Sequence, residues 1–177
     1  MLDVLQEVEN GVLAELLTDN SHREIEYYTW YGRSFMERVL YRWGDYEIHL
    51  NKLLPIPRES VVYHFHPWPC ILKILDGEYE MGLGFGPRRA KEPPISGRFF
   101  NMMPGNVYEM PHRNGWHYVW PSKGPVKTLF ICGPEDWRRR DDTFKRGLNR
   151  NLKIHKLEEV KGEEILDFYR KIYVKRG

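Results

Sequence analysis

Two histidines one residue apart, His64 and His66, are the residues of this chain best spaced to do chemistry together, and a third, His117, lies in a later strand-like segment. On a β-strand, side chains alternate between faces, so His64 and His66 point the same way. Two imidazoles on one face, met by a third from another strand, can hold a transition metal and leave coordination positions open. That is what a catalytic metal requires. His112 rivals His117, but it falls in the turn His112-Arg113-Asn114-Gly115. Parity favours His117, because Trp116, Tyr118 and Trp120 then face away from it. His49 lies on an earlier strand with Glu47 and Asn51 on its face, a face that either lines a barrel mouth or meets solvent. Tyr108 and Glu109 cannot share a face, and the sequence leaves open which of them points inward.

The elements that must position these residues are mostly strands. Residues 2–17 read as an amphipathic helix, with Leu2, Leu5, Val8, Val12 and Leu16 at three- to four-residue steps and Gly11 as a weak point. Strand signals start near Arg38. Residues 38–42 and 46–54 flank a Gly44-Asp45 turn, and Ser60 to His66 reads as the next strand. Cys70 to Leu75 and Glu78 to Phe85 read as a hairpin about Asp76-Gly77. Further strands are expected at 98–103, 106–111, 116–120 and 126–132, roughly eight short strands in all, a pattern that suits a sandwich or barrel. The Pro- and Gly-rich loop 86–97 reads as a rim or lid, or as a solvated excursion. Trp137 to Asp142 is a mixed charge run, and Glu163 to Val174 reads as a helix with Ile165, Phe168, Tyr169 and Ile172 on one side.

Composition sets the limits. A length of 177 residues predicts one domain, 1–177. Within it we expect a barrel core at about 38–134, a helical segment at 2–17, and a charged and helical tail at 135–177. The 41% apolar and 29% charged content is ordinary for a soluble globular chain. Eight Phe, six Trp and eleven Tyr lean it toward β structure. A net charge of +2 gives no argument for nucleic acid, and no apolar run is long enough to span a membrane. Two cysteines, Cys70 and Cys132, are no disulfide framework, and no secretory signal opens the chain. A cytoplasmic setting is the expectation.

With both motifs in hand, the chain resembles a cupin. The first cupin motif is His-x-His, three or four residues, Glu, six residues, Gly. Here His64-Phe65-His66 is followed by Cys70 and Gly77 at matching spacing, with Cys in place of Glu. Gly105, Pro111 and His117 match the second motif across a longer turn. The resemblance covers about residues 60–134. It implies a mainly β fold, a single cupin jelly-roll barrel with flanking helices. Cys at the Glu position is similar to the cysteine dioxygenase branch, where three histidines bind ferrous iron; Cys70 to Gly77 and Thr128 to Pro134 also look like segments of that branch. Thr128, Phe130 and Cys132 stand where many of its members carry Ser, His and Tyr.

The resemblance implies a metal site of His64, His66 and His117, Cys70 as a catalytic candidate, and Arg42 beside Tyr41 for a substrate carboxylate. The bland account of Cys70 and Cys132 is that they are small buried hydrophobes. Arg33 and Lys52 compete with Arg42. Three neutral imidazoles leave a divalent ion its full charge, which favours an anionic ligand such as a thiolate or carboxylate. The expected function is a non-haem Fe(II) dioxygenase acting with O2 on a small anionic substrate, with a thiol-bearing one among the candidates. Zn, Ni or Mn suit the same donors, and a homodimer is compatible. The alternatives are a non-oxidative metal cupin (an isomerase or hydrolase) and a non-enzymatic small-molecule binder. Loss of the motif Glu weakens the first, since that carboxylate is a natural base. The basic pairs Arg88-Arg89 and Arg138-Arg139-Arg140 give only a weak nucleotide-binding variant of the second.

Overall fold

Alternation along the strands divides the molecule into two faces, one packed by helices and one facing a second sheet. The computed structural model describes residues 1–19, 21–61, 63–66, 68–86, 97–112, 114–134 and 152–174. The interior of the predicted loop 86–97, the charge run at 137–142 and both basic clusters lie outside the described residues. Among the described residues, ten strands follow an N-terminal helical segment: β1 Arg23–Trp30, β2 Arg33–Trp43, β3 Tyr46–Leu53, β4 Cys70–Asp76, β5 Tyr79–Phe85, β6 Gly97–Met102, β7 Val107–Met110, β8 Gly115–Trp120, β9 Val126–Cys132 and β10 Leu152–Lys156. The larger sheet runs β10-β1-β2-β3-β9-β4-β7, and the smaller β6-β5-β8. All the pairings are antiparallel. Leu53, Leu72, Ile74, Val126 and Phe130 of the larger sheet pack against Tyr79, Met81 and Met102 of the smaller one. The fold is thus mainly β, a sandwich with helices at both ends of the chain.

The outer face of the larger sheet is closed by helices. Helix α1 is Leu2–Glu7, α2 is Leu13–Thr18, and a π-helical turn, Val8–Val12, joins them. The predicted single helix therefore carries one extra residue in its middle turn. After that turn Leu13 and Leu17 are buried, while the expected Val12 and Leu16 are only partly so. The C-terminal helix α3, Glu159–Tyr173, begins earlier than expected, and Ile172 points outward. Leu5, Val8, Leu13, Leu17, Ile165 and Leu166 cover Val39, Tyr41, Ile48, Leu50, Leu129 and Ile131. No described helix is long and apolar enough to cross a membrane.

Several expectations need correction. The sheet begins at Arg23, not near Arg38, and β10 adds an edge that periodicity did not mark. Ser60 to His66 is not a strand: a short 3-10 turn, Arg58–Ser60, leads into an extended segment with one bridge, His64 to His117. Pro55, Pro57, Pro67 and Pro69 flank that segment, and proline cannot donate to a ladder. β4 and β5 are no hairpin either. β4 pairs with β7 and β9, and β5 with β6 and β8, so the Asp76-Gly77 step carries the chain from one sheet to the other. Gly77 has φ +76°, and a Cβ there would meet the Pro125 carbonyl at 2.5 Å. That is a close approach only glycine permits.

Candidate metal centre

The three histidines are brought together by backbone before side chains are considered. His64 N–H donates to the His117 carbonyl at 2.7 Å, and His117 N–H donates to the His64 carbonyl at 2.8 Å. Residues that exchange both bonds across an antiparallel pair present their side chains on the same face. His66 follows two positions later, on that face again. The ring centroids lie 4.5 Å apart for His64 and His117, 4.9 Å for His66 and His117, and 5.2 Å for His64 and His66. One ring nitrogen from each lies within 4.8 Å of the others. β8 turns His117 inward opposite Leu83, while Trp116 and Tyr118, both buried, lie on the other face of the smaller sheet, as parity required. His112 is exposed in the preceding turn and takes no part.

Burial and neighbouring charge keep the rings of His66 and His117 neutral. Burial, reinforced by the nearby His64, holds the basicity of His66 and His117 well below the usual imidazole range. His49 and Arg38 add to the effect on His66. His66 Nε2 and His117 Nε2 are 2.8 Å apart. Two bonds of about 2.0–2.1 Å to one ion, meeting near a right angle, separate their nitrogens by about 2.9 Å. The same distance suits an N–H···N bond, in which one ring must donate. His117 Nδ1 is buried and finds no partner among the described residues. Convergent ring nitrogens, with His66 and His117 held neutral, fit a transition metal.

The walls are aromatic. Tyr108 stacks on His117 with centroids 5.8 Å apart, and Phe130 lies 5.3 Å from His66. Tyr108 is therefore the inward residue of its pair, whereas Glu109 points away and meets the chain's amino terminus at 2.9 Å. Cys70 is buried, its thiol pushed up to about 12 by burial and then by the Glu109 charge. It is a neutral thiol, outside the histidine group.

The predicted substrate pair is not brought to the histidines. Tyr41 is 1% exposed and packs under the helices on the opposite face of the sheet. Arg42 shares the inner face by register but sits at the rim, its side chain 67% exposed and paired with Glu24 at 3.1 Å. Arg33 is exposed, and Lys52 pairs with Glu37 at 2.8 Å. Among the described residues the inward arginine is Arg38, 8% exposed and four residues farther from the Gly44 turn than Arg42. Its Nη2 donates to Glu26 at 3.2 Å and its Nη1 to His49 Nδ1 at 2.6 Å, while Nε has no partner among the described residues. Arg38 and Arg42 have the same parity, so alternation alone cannot choose between them. The signal was distance from the Gly44 turn: Arg42 is next to the hairpin end and must lie at the rim.

No family model matches the chain, and no curated protein does. Solved structures do. Fe(II)-HppE with the alternative substrate (S)-1-HPP is similar with a TM-score of 0.53 and 11% identity, covering 66% of this chain and 58% of that one. Hydroxypropylphosphonic acid epoxidase from S. wedmorenis is similar with a TM-score of 0.50, 11% identity and the same coverage. The chain thus spans a little over half the length of these neighbours. At such identity the likeness establishes the fold, which is of the cupin type. It does not single out the cysteine dioxygenase branch.

Proposed function

We propose that the chain is a metal-dependent cupin oxidoreductase that acts with O2 on a small anionic substrate. The observation that carries this reading is the convergence of His64, His66 and His117 within 4.8 Å in a partly buried, aromatic-walled site. These three side chains would hold the ion. Fe(II), the metal of the HppE fold neighbour, would supply one-electron chemistry with O2 there. The chain's own residues do the rest.

Arg38 takes the part first assigned to Arg42. Two of its nitrogens are engaged by Glu26 and His49, which leaves the Nε–H for an anion. Its Cα partner across the β2–β3 pair is Asn51, whose side-chain amide donates to Thr128 at 3.3 Å and whose Oδ1 is unpartnered among the described residues. A donor beside an acceptor suits a substrate with both an anionic group and a hydroxyl, amine or thiol. Tyr108 and Phe130 exclude water and keep the charged contacts in a low-dielectric site. Cys70, held neutral, does not compete as a ligand.

The test is oxygen consumption by the Fe(II)-loaded chain against a panel of small thiol, hydroxy and amino acids. Uptake that depends on iron and is absent with zinc is the expected result. No uptake across the panel, or equal activity with redox-inert Zn2+, overturns the reading.

A further inference from the structure

A second donor group lies on the inner face of the larger sheet, apart from the histidine triad. Glu47 and His49 alternate onto the inner face of β3, just as His64 and His66 share theirs, and Cys132 on β9 is the Cα partner of Glu47. The three donor atoms close a triangle. His49 Nε2 is 3.2 Å from Glu47 Oε2, and the Cys132 Sγ is 3.8 Å from each of them. At 3.8 Å a thiol makes a poor hydrogen bond, yet these edges suit ligands around one ion. A point about 2.2 Å from all three atoms exists for such a triangle, where zinc bonds run about 2.0–2.2 Å to N or O and about 2.3 Å to S. His49 and Cys132 are buried and Glu47 nearly so.

We propose that Glu47, His49 and Cys132 form a second transition-metal site, one that contains sulfur and is separate from the triad. The thiolate selects a borderline or soft ion such as Zn2+ over Mg2+, Ca2+ or Mn2+. Charge agrees. Glu26, Glu47 and a Cys132 thiolate are anionic beside the Arg38 guanidinium, and a divalent ion offsets that charge. Since a guanidinium only donates, the Arg38 contact shows that His49 Nδ1 bears the lone pair in the metal-free chain and Nε2 the proton. Uptake at Nε2 moves the ring proton to Nδ1, turns Arg38 Nη1 away, and releases the Cys132 proton to solvent. One proton leaves per ion bound. The ion would tie β3 to β9 beside Phe130, whose ring lies 5.1 Å from His49 and 5.3 Å from His66.

Titration of the metal-stripped full chain with Co2+, in a non-thiol reductant, tests this. The wild type should take two ions, one of them with a sulfur-to-cobalt charge-transfer band. Cys132→Ser should lose the band and one ion. Cys70→Ser and the double variant His64→Ala/His66→Ala should each keep the band, the latter with one ion. Glu47→Gln, which preserves shape if Cys132→Ser fails to fold, should weaken the banded site at least tenfold. Absence of a thiolate band in the cobalt-loaded wild type overturns the proposal, as does a band that survives Cys132→Ser or disappears in Cys70→Ser. Loss of the unbanded ion alone would instead count against the triad.

Discussion

The two faces of the larger sheet come from the same strands, one residue out of phase, and they differ in almost everything. On the outer face Ile48, Leu50 and Ile131 are sealed under α1, α2 and α3, and apolar contact is all they offer. On the inner face Arg38, His49, Asn51 and Thr128 are buried too and Glu47 partly so, but they are polar and hydrogen-bonded in two groups, Arg38-His49-Glu47 and Asn51-Thr128. Burying polar groups is unfavourable unless they are paired, and a sheet stabilised only by packing would not keep them. The outer face therefore supplies packing alone, and the inner face holds polar groups beside its own apolar cluster.

Single substitutions can break that division. The largest expected effect is on the inner side. His117→Ala should bring oxygen uptake to background and remove the triad's ion, measured by turnover and metal content, whereas His112→Ala changes neither. Next comes the outer face. Leu50→Ala should cost about 2–5 kcal/mol in chemical denaturation while leaving bound metal per folded chain unchanged. Smaller still, Arg38→Lys should raise the KM for an anionic substrate about 10–100-fold, the worth of one charged hydrogen bond or so, while Arg42→Ala stays within about twofold because its exposed ion pair is worth under about 1 kcal/mol.

The last of these contrasts is with pH. In the metal-free chain His66 and His117 stay neutral where their unfolded counterparts, near pKa about 6.5, take up protons. Both shifts are downward, so the unfolded state binds more protons as pH falls below about 6.5, and stability must drop there. Urea midpoints measured from pH 8 to 5 should show that decline, and His66→Ala/His117→Ala should flatten it.

Much of the site was legible in sequence because its signals are local. The spacing of His64 and His66, the turn that excludes His112 and the parity of β8 each depend on a few neighbouring residues. What escaped is what depends on distant ones. Asp76-Gly77 has the composition of a hairpin turn, yet it crosses between sheets because β9 takes the place beside β4. The π turn at Val8–Val12 moves the buried stripe from Val12 and Leu16 to Leu13 and Leu17, a phase change no fixed period reveals. Arg38 and Arg42 share a face, and only depth along β2 separates them. Cys132 gave no motif of its own, because its companions Glu47 and His49 come from another strand.

The central claim is that His64, His66 and His117 grip one ion. X-ray absorption at the iron edge of the Cys132→Ser chain, loaded anaerobically with one equivalent of Fe(II), tests it most directly. Ligation by His64, His66 and His117 gives a shell with three imidazoles and no sulfur; a shell with one imidazole or none rules it out.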